Sequence, residues 1–263
     1  MLLGPGEPSA VTLVNGEADS RLVLVCEHAS RRIPRALGTL GLSESELERH
    51  IAWDIGARAV AERMAHRLGA PLFVQNYSRL VCDCNRNTTA RDFIPDVSER
   101  TAIPGNRGLS ESDIAQRVDE IFTPFHAAIA AHMDALTARR GDAVFVTVHS
   151  FTPVFKDIER PWHVGVLFNR DRLFSPLAVE LLRAQGGLAV GVNEPYVMSD
   201  ETDYTVPVHG EARGVPSVEF EIRNDLVRTA AGQEDWADRL SRVVEAAIAR
   251  MDAMGAQPAK DAR

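Results

Sequence analysis

Residues 21–34 read RLVLVCEHASRRIP, and the reading of this stretch decides the fold. Five apolar residues without polar alternation, Leu22 to Cys26, describe a strand buried on both faces, as the strands of parallel sheets are. The run stops at two titratable side chains, Glu27 and His28, and a turn through Ser30-Arg31-Arg32-Ile33-Pro34 follows. Further along, strand-like runs recur at 71–75, 79–84, 143–148, 163–168, 188–192 and 215–222. Between them lie helical patterns: Val60, Met64 and Leu68 with Gly69 as a cap, a long helix with Ile114, Val118, Ile121, Phe125 and Ile129 on one face, one helix near 176–185, and a last one carrying Trp236, Leu240, Val243, Ala247 and Met251. Short apolar strands alternating with helices predict an α/β fold with a mostly parallel central sheet flanked by helices. GLSES occurs at 41–45 and 108–112, and each copy predicts a helix start through a capping box, Ser43 with Glu46 and Ser110 with Asp113.

The expected layout is an irregular segment over 1–20, one α/β domain over 21–252 and a disordered tail over 253–263. The 263 residues are 45% apolar, enough for one full core, and the net charge of −8 argues against nucleic acid or an anionic membrane as a partner. No apolar stretch approaches the ~20 residues of a membrane span. Three cysteines fit a reducing compartment, and the first ten residues lack a signal-peptide pattern, so a cytoplasmic location is expected. Oligomeric state is not legible. Two polar stretches, 87–108 and 193–214, are long enough to be functional lids.

In open α/β sheets ligands bind beyond the carboxyl ends of the strands. The strand ends here deliver Glu27 and His28, Asn85 and Arg86, His149 and Ser150, and Glu219, Glu221 and Arg223. A single histidine at such a place is usually structural, and His66, His126 and His132 on helices are read that way. Cys82 and Cys84 are read as core packing. The combination, however, matches a hydrolytic site: two imidazoles and a carboxylate for Zn²⁺, a separate glutamate for proton transfer, and an Asn-Arg pair for a substrate carboxylate.

CEHASRRIP, WDIGA, SRLVCDCNR, HSF and FEIRND together resemble the N-formylglutamate amidohydrolase family, from about residue 21 to 250, and more distantly the zinc carboxypeptidases and the aspartoacylase/succinylglutamate desuccinylase group. The resemblance implies a zinc-carboxypeptidase-like, three-layer (phosphorylase/hydrolase-like) sandwich with one Zn²⁺ per chain, although Fe²⁺ and Mn²⁺ accept similar ligands. It implies His28 and His149 as metal ligands, Glu221 as general base and acid, and Asn85 and Arg86 as the grip on a small-molecule substrate's carboxylate, with Arg79 and Arg107 as weaker candidates for the same anion. The glutamate that carboxypeptidases place three residues after the first histidine is replaced by Arg31. Residues 29–53 look like an insertion, so Asp54 is the expected third ligand and Glu27 the rival. The implied reaction removes a small acyl group from an acidic amino acid, N-formylglutamate and water giving formate and glutamate. Another N-acyl-amino-acid deacylase, a peptidase, a non-catalytic acyl-amino-acid-binding protein and a metal-free cysteine amidase using Cys84 remain as alternatives. Tyr204 and His209, on the second long loop, have no assigned role.

Overall fold

The computed structural model describes residues 1–255. Eleven strands form: β1 (Val11–Val14), β2 (Leu22–Cys26), β3 (Leu72–Gln75), β4 (Val97–Ser98), β5 (Thr101–Ala102), β6 (Val144–Phe151), β7 (Val154–Phe155), β8 (Ile158–Glu159), β9 (Val164–Leu167), β10 (Val190–Val192) and β11 (Ser217–Arg223). Seven of them make one sheet in the order β1-β3-β2-β6-β11-β9-β10, and β4–β5 and β7–β8 are two small hairpins. Within the sheet β3, β2, β6 and β11 run parallel; β9 runs antiparallel to β11, and β1 antiparallel to β3. The expected α/β fold with a mostly parallel sheet flanked by helices is therefore what the chain adopts.

The helices are α1 (Glu44–Leu47), α2 (Ala57–Leu68), α3 (Glu111–Arg117), α4 (Thr123–Arg140), α5 (Phe174–Ala184) and α6 (Ala230–Gly255). Both predicted capping boxes are present, Ser43 with Glu46 and Ser110 with Asp113. Side chains alternate between two cores, as the two-residue period of a strand requires. Leu22, Leu24, Val146, Val148, Val218 and Phe220 pack under α2, α5 and α6, whereas Val23, Val25 and Phe145 face α4 through Phe125, Ile129 and Met133. On that second face the apolar pattern breaks in the middle of the sheet: Phe145 is followed by Thr147 and His149, and Ser217 by Glu219 and Glu221. All five polar side chains are buried, so the break creates a polar site inside the fold.

Five expectations are corrected. Within the first twenty residues, Val11–Val14 is a strand that pairs with β3. Residues 79–84 do not form a strand. Their backbone is satisfied elsewhere: the carbonyl of Leu80 accepts from Asn106 Nδ2 at 2.8 Å and that of Val81 from the buried Arg117 Nη1 at 2.9 Å. The long helix is divided by a π-turn, Val118–Phe122, whose extra residue rotates the apolar face and leaves Ile114 exposed while Ile121, Phe125 and Ile129 are buried. The strand expected to end at Val148 continues to Phe151 because its ladder with β11 continues, pairing His149 with Glu221. Of the tail expected over 253–263, residues 253–255 belong to α6 and the remainder lies outside the described residues. Among the described residues, no helix is long and apolar enough to cross a membrane.

Candidate metal centre

Three segments meet where β2 ends. His28 follows β2 by two residues, His149 lies in the adjoining β6, and Asp54 stands three residues before the first residue of α2. The excursion 29–53 returns to its starting point, since the Asp54 N–H donates to the His28 carbonyl at 2.9 Å. The two Nδ1 atoms of His28 and His149 approach to 3.2 Å, and Asp54 Oδ2 lies 2.9 Å from one and 3.4 Å from the other. One ligand atom from each of the three residues lies within 4.8 Å of the others, and all three residues are buried, a group able to hold a metal ion.

The donor set fits a divalent ion of the zinc type. Two imidazole nitrogens and a carboxylate oxygen converge from one side and leave room for further ligands. Asp54 Oδ1 lacks a hydrogen-bond partner despite burial, which an isolated protein site would avoid. The far side of each ring is also occupied. Asp83 Oδ1 lies 2.7 Å from His28 Nε2, and Glu27 Oε2 lies 2.9 Å from His149 Nε2, the latter an ion-pair contact. A carboxylate on one ring nitrogen directs the other toward a metal and raises its basicity. Glu27 thus faces the Nε2 side of His149, opposite to the Nδ1 side where Asp54 sits.

Charge in this buried cluster is set by its company. Burial opposes ionisation of Asp54, but His28 and the hydrogen-bonded His149 outweigh it and hold the carboxyl well below its usual range. Burial likewise opposes ionisation of Asp83, which Arg79 and His28 overcome. At His149 burial disfavours the cation, yet Glu219, Glu27 and Asp54 hold its pKa well above normal. Glu221 goes the other way: burial, with Asp54 and Glu219 adding negative charge, pushes its carboxyl well above the usual range. Glu219 is pushed up to about 7, burial again being the main cause.

A cavity of about 480 Å³ opens onto this cluster. His28, Asp54, His149, Glu221, Arg79, Asn85 and Arg86 all line it, so seven of the eight residues singled out in the sequence come together. Arg107 is exposed and does not line it. Arg79 Nη2 bonds Asp83 Oδ2 at 2.6 Å, with Nη1 3.5 Å from Asp54 Oδ1. Arg86 bonds Asp92 through Nε at 3.0 Å and the carbonyl of Thr202 through Nη1. The Asn85 amide is engaged at both ends: Oδ1 accepts from the N–H groups of Tyr204 and Thr205, and Nδ2 faces Asp203 and Glu219 at 3.3 Å. Glu221 Oε2 has no partner at all.

Sequence reasoning passed over Asp83, hidden between two cysteines that do pack in the core, and over Asp203, His50, Tyr196 and Phe155, which also line the cavity. The signal for Asp83 was its position two residues before the Asn-Arg pair; the others lie on loops with no pattern to mark them. Both long polar stretches contribute walls, Ser98 and Glu99 from the first and Pro195 to Val197 with Thr202 and Asp203 from the second. Tyr204 and His209 do not line the cavity. The cysteine alternative loses its nucleophile: Cys84 is 1% exposed, its Sγ meets Gln75 Nε2 at 3.1 Å, and burial pushes its thiol well above normal.

Comparison with known proteins bears on the family and the fold. The family model for N-formylglutamate amidohydrolase matches residues 20–228. Gene product Atu2144 from Agrobacterium tumefaciens is 35% identical, covering 96% of this chain and 100% of its own, with a TM-score of 0.92. N-formylglutamate amidohydrolase from Ralstonia eutropha JMP134 is 17% identical over 94% of this chain and 100% of its own, with a TM-score of 0.67, and shares the fold. Among curated proteins none matches the chain.

Proposed function

Because the chain belongs to the N-formylglutamate amidohydrolase family, we propose that it is a metal-dependent hydrolase that removes the formyl group from N-formylglutamate, water entering and formate and glutamate leaving. The observation that carries this reading is the buried group formed by His28, His149 and Asp54 on the wall of a cavity that Glu221, with its unpartnered Oε2, also lines. A zinc ion held by those three residues supplies, when bound, Lewis acidity that lowers the pKa of water toward about 7 and polarises a carbonyl.

The chain's own groups do the rest. Glu221 takes the proton of the attacking water on Oε2 and returns it to the nitrogen of the leaving amine. Its burial keeps the carboxyl basic enough to accept that proton. Asp83 and Glu27 hold the rings of His28 and His149 with Nδ1 inward. Arg86, on the cavity wall, receives one carboxylate of the substrate, and Arg79 adds positive charge behind it, while Asn85 fixes the loop that carries Tyr204 and Thr205. A cavity of about 480 Å³ suits a small acyl amino acid rather than a polypeptide, within the usual range for small-molecule sites.

The test is metal content by plasma emission on purified protein together with formate release from N-formylglutamate, on the same samples of wild type and Glu221→Gln. About one zinc per chain in both, with hydrolysis in the wild type alone, is expected. A zinc-loaded wild type that releases no formate refutes the reaction.

A further inference from the structure

Two arginines, Arg79 and Arg86, line the cavity, and a third, Arg160, packs against the lining residues Phe155 and Tyr196; the three differ in their company. Arg79 is paired with Asp83 and Asp54, and Arg86 with Asp92 and Asp203. Arg160, although only 8% exposed, forms no ion pair with a carboxylate among the described residues. It directly follows β8, and its N–H donates to the Pro153 carbonyl at 2.8 Å, closing the base of the β7–β8 hairpin. The guanidinium carbon lies 4.5 Å from the ring centre of Phe155, 4.8 Å from that of Tyr196 and 5.9 Å from that of Phe151. Aromatic faces attract the cation without neutralising it. A buried charge left without a counter-ion is otherwise unfavourable, so an anionic ligand is the partner whose chemistry suits this guanidinium.

Tyr196 carries this charge to the cavity. Arg160 Nη1 donates to the Tyr196 hydroxyl at 3.1 Å, so the hydroxyl hydrogen is turned to some other acceptor, and it meets none among the described residues. Phe155 and Tyr196 both line the cavity. Tyr196 is 37% exposed as a residue, but desolvation of its phenol end, reinforced by the negative charge of Glu221, pushes its pKa up to about 12, so it remains a donor at neutral pH. Positive charge is scarce on these walls, because Asp54, Asp203, Glu99, Glu219 and Glu221 line them too, and a substrate with two carboxylates needs a second receptor.

We propose that Tyr196 and Arg160 form the receptor for the second carboxylate of the substrate, Tyr196 donating the hydrogen bond and Arg160 supplying the charge behind it. The pair thereby selects an acidic acyl amino acid over a neutral one of the same length. This rests on reading the cavity as an acyl-amino-acid hydrolase site.

The test measures binding of glutarate and of butyrate, by titration calorimetry, to zinc-loaded wild type, Arg160→Met and Tyr196→Phe. N-formylglutamate and N-formylglutamine hydrolysis are assayed in parallel. Wild type is expected to favour glutarate by about tenfold or more, and Arg160→Met to erase most of that preference with butyrate affinity and metal content unchanged. Tyr196→Phe removes one donor and is expected to lower the preference by roughly three- to tenfold. In hydrolysis, Arg160→Met is expected to raise KM for N-formylglutamate by a larger factor than KM for N-formylglutamine, narrowing the discrimination between them. A wild type without the preference, or one whose preference survives in both variants, overturns the proposal. Should Arg160→Met fail to fold, Tyr196→Phe decides alone. If the wild type hydrolyses neither formyl compound while the variants lose the glutarate preference, the assigned reaction fails and the receptor stands.

Discussion

The chain buries two pairs of histidines, and they are built differently. His28 and His149 meet edge to face, with ring centres 4.8 Å apart and planes at 78°, and their Nδ1 atoms turn toward each other and toward Asp54. His126 and His209 are stacked, 5.2 Å apart with planes at 12°, and share a hydrogen bond of 3.0 Å. Carboxylates surround the first pair: Asp54, Asp83, Glu27 and Glu219 all lie within ion-pair distance of one ring or the other. The second pair is bonded to the carbonyl of Cys84 and packed by Phe122 and Tyr204. Burial accordingly drives His126 down to about 3 and His209 to about 4, while carboxylates hold His149 above normal against the same burial. A buried imidazole becomes a ligand or a packing element according to the oxygen atoms placed around it, and only the first pair has the anions that a divalent cation calls for.

The sharpest way to break this contrast is to remove a ligand from the first pair. His149→Ala is expected to lose stoichiometric metal and to lower kcat/KM for N-formylglutamate by roughly 10³-fold or more, whereas His126→Gln retains its metal. Plasma emission and formate assays on the two proteins check it; metal retained in His149→Ala would place the ion elsewhere. Glu221→Gln should keep the metal and lose about 10²- to 10⁴-fold in kcat. Asp83→Asn, which alters only the outer partner of His28, should weaken metal affinity by about 10- to 100-fold, measured by competition with a chelator; an unchanged affinity would make Asp83 a structural residue.

The smallest effect is the one that belongs to the second pair alone. The folded-state pKa values of His126 and His209 lie below the unfolded value of 6.5. Between about pH 6.5 and 4 the unfolded chain therefore binds more protons than the folded one, and stability falls as pH falls. The contribution is fully present above pH 6.5, and each neutral imidazole adds up to roughly 1.4 kcal/mol per pH unit to that slope. Urea unfolding across this range should show a shallower slope in the His126→Gln/His209→Gln double variant than in wild type. Equal slopes would mean that both rings are protonated in the folded protein.

Much of this molecule is written locally in the sequence. The unbroken apolar run 22–26 could only be a strand covered on both faces, because polar alternation is what a solvated face requires; the two serine caps followed from a side-chain oxygen three residues from its acid. His28, His149 and Glu221 were legible because they stand where apolar strands turn polar at their carboxyl ends. Other features depended on partners remote in the chain. Residues 79–84 look like a strand, but Asn106 and Arg117 take the hydrogen bonds that a neighbouring strand would have made. Asp83 gained its position opposite His28 only through that irregular path. His126 and His209 lie 83 residues apart, and no local pattern connects them. Periodicity records which face a residue occupies, and so it could place His149 and Glu221 toward one layer. The atoms those side chains meet across the layer, Asp83 for one histidine and Glu27 for the other, were decided by the packing of loops, which has no period to read.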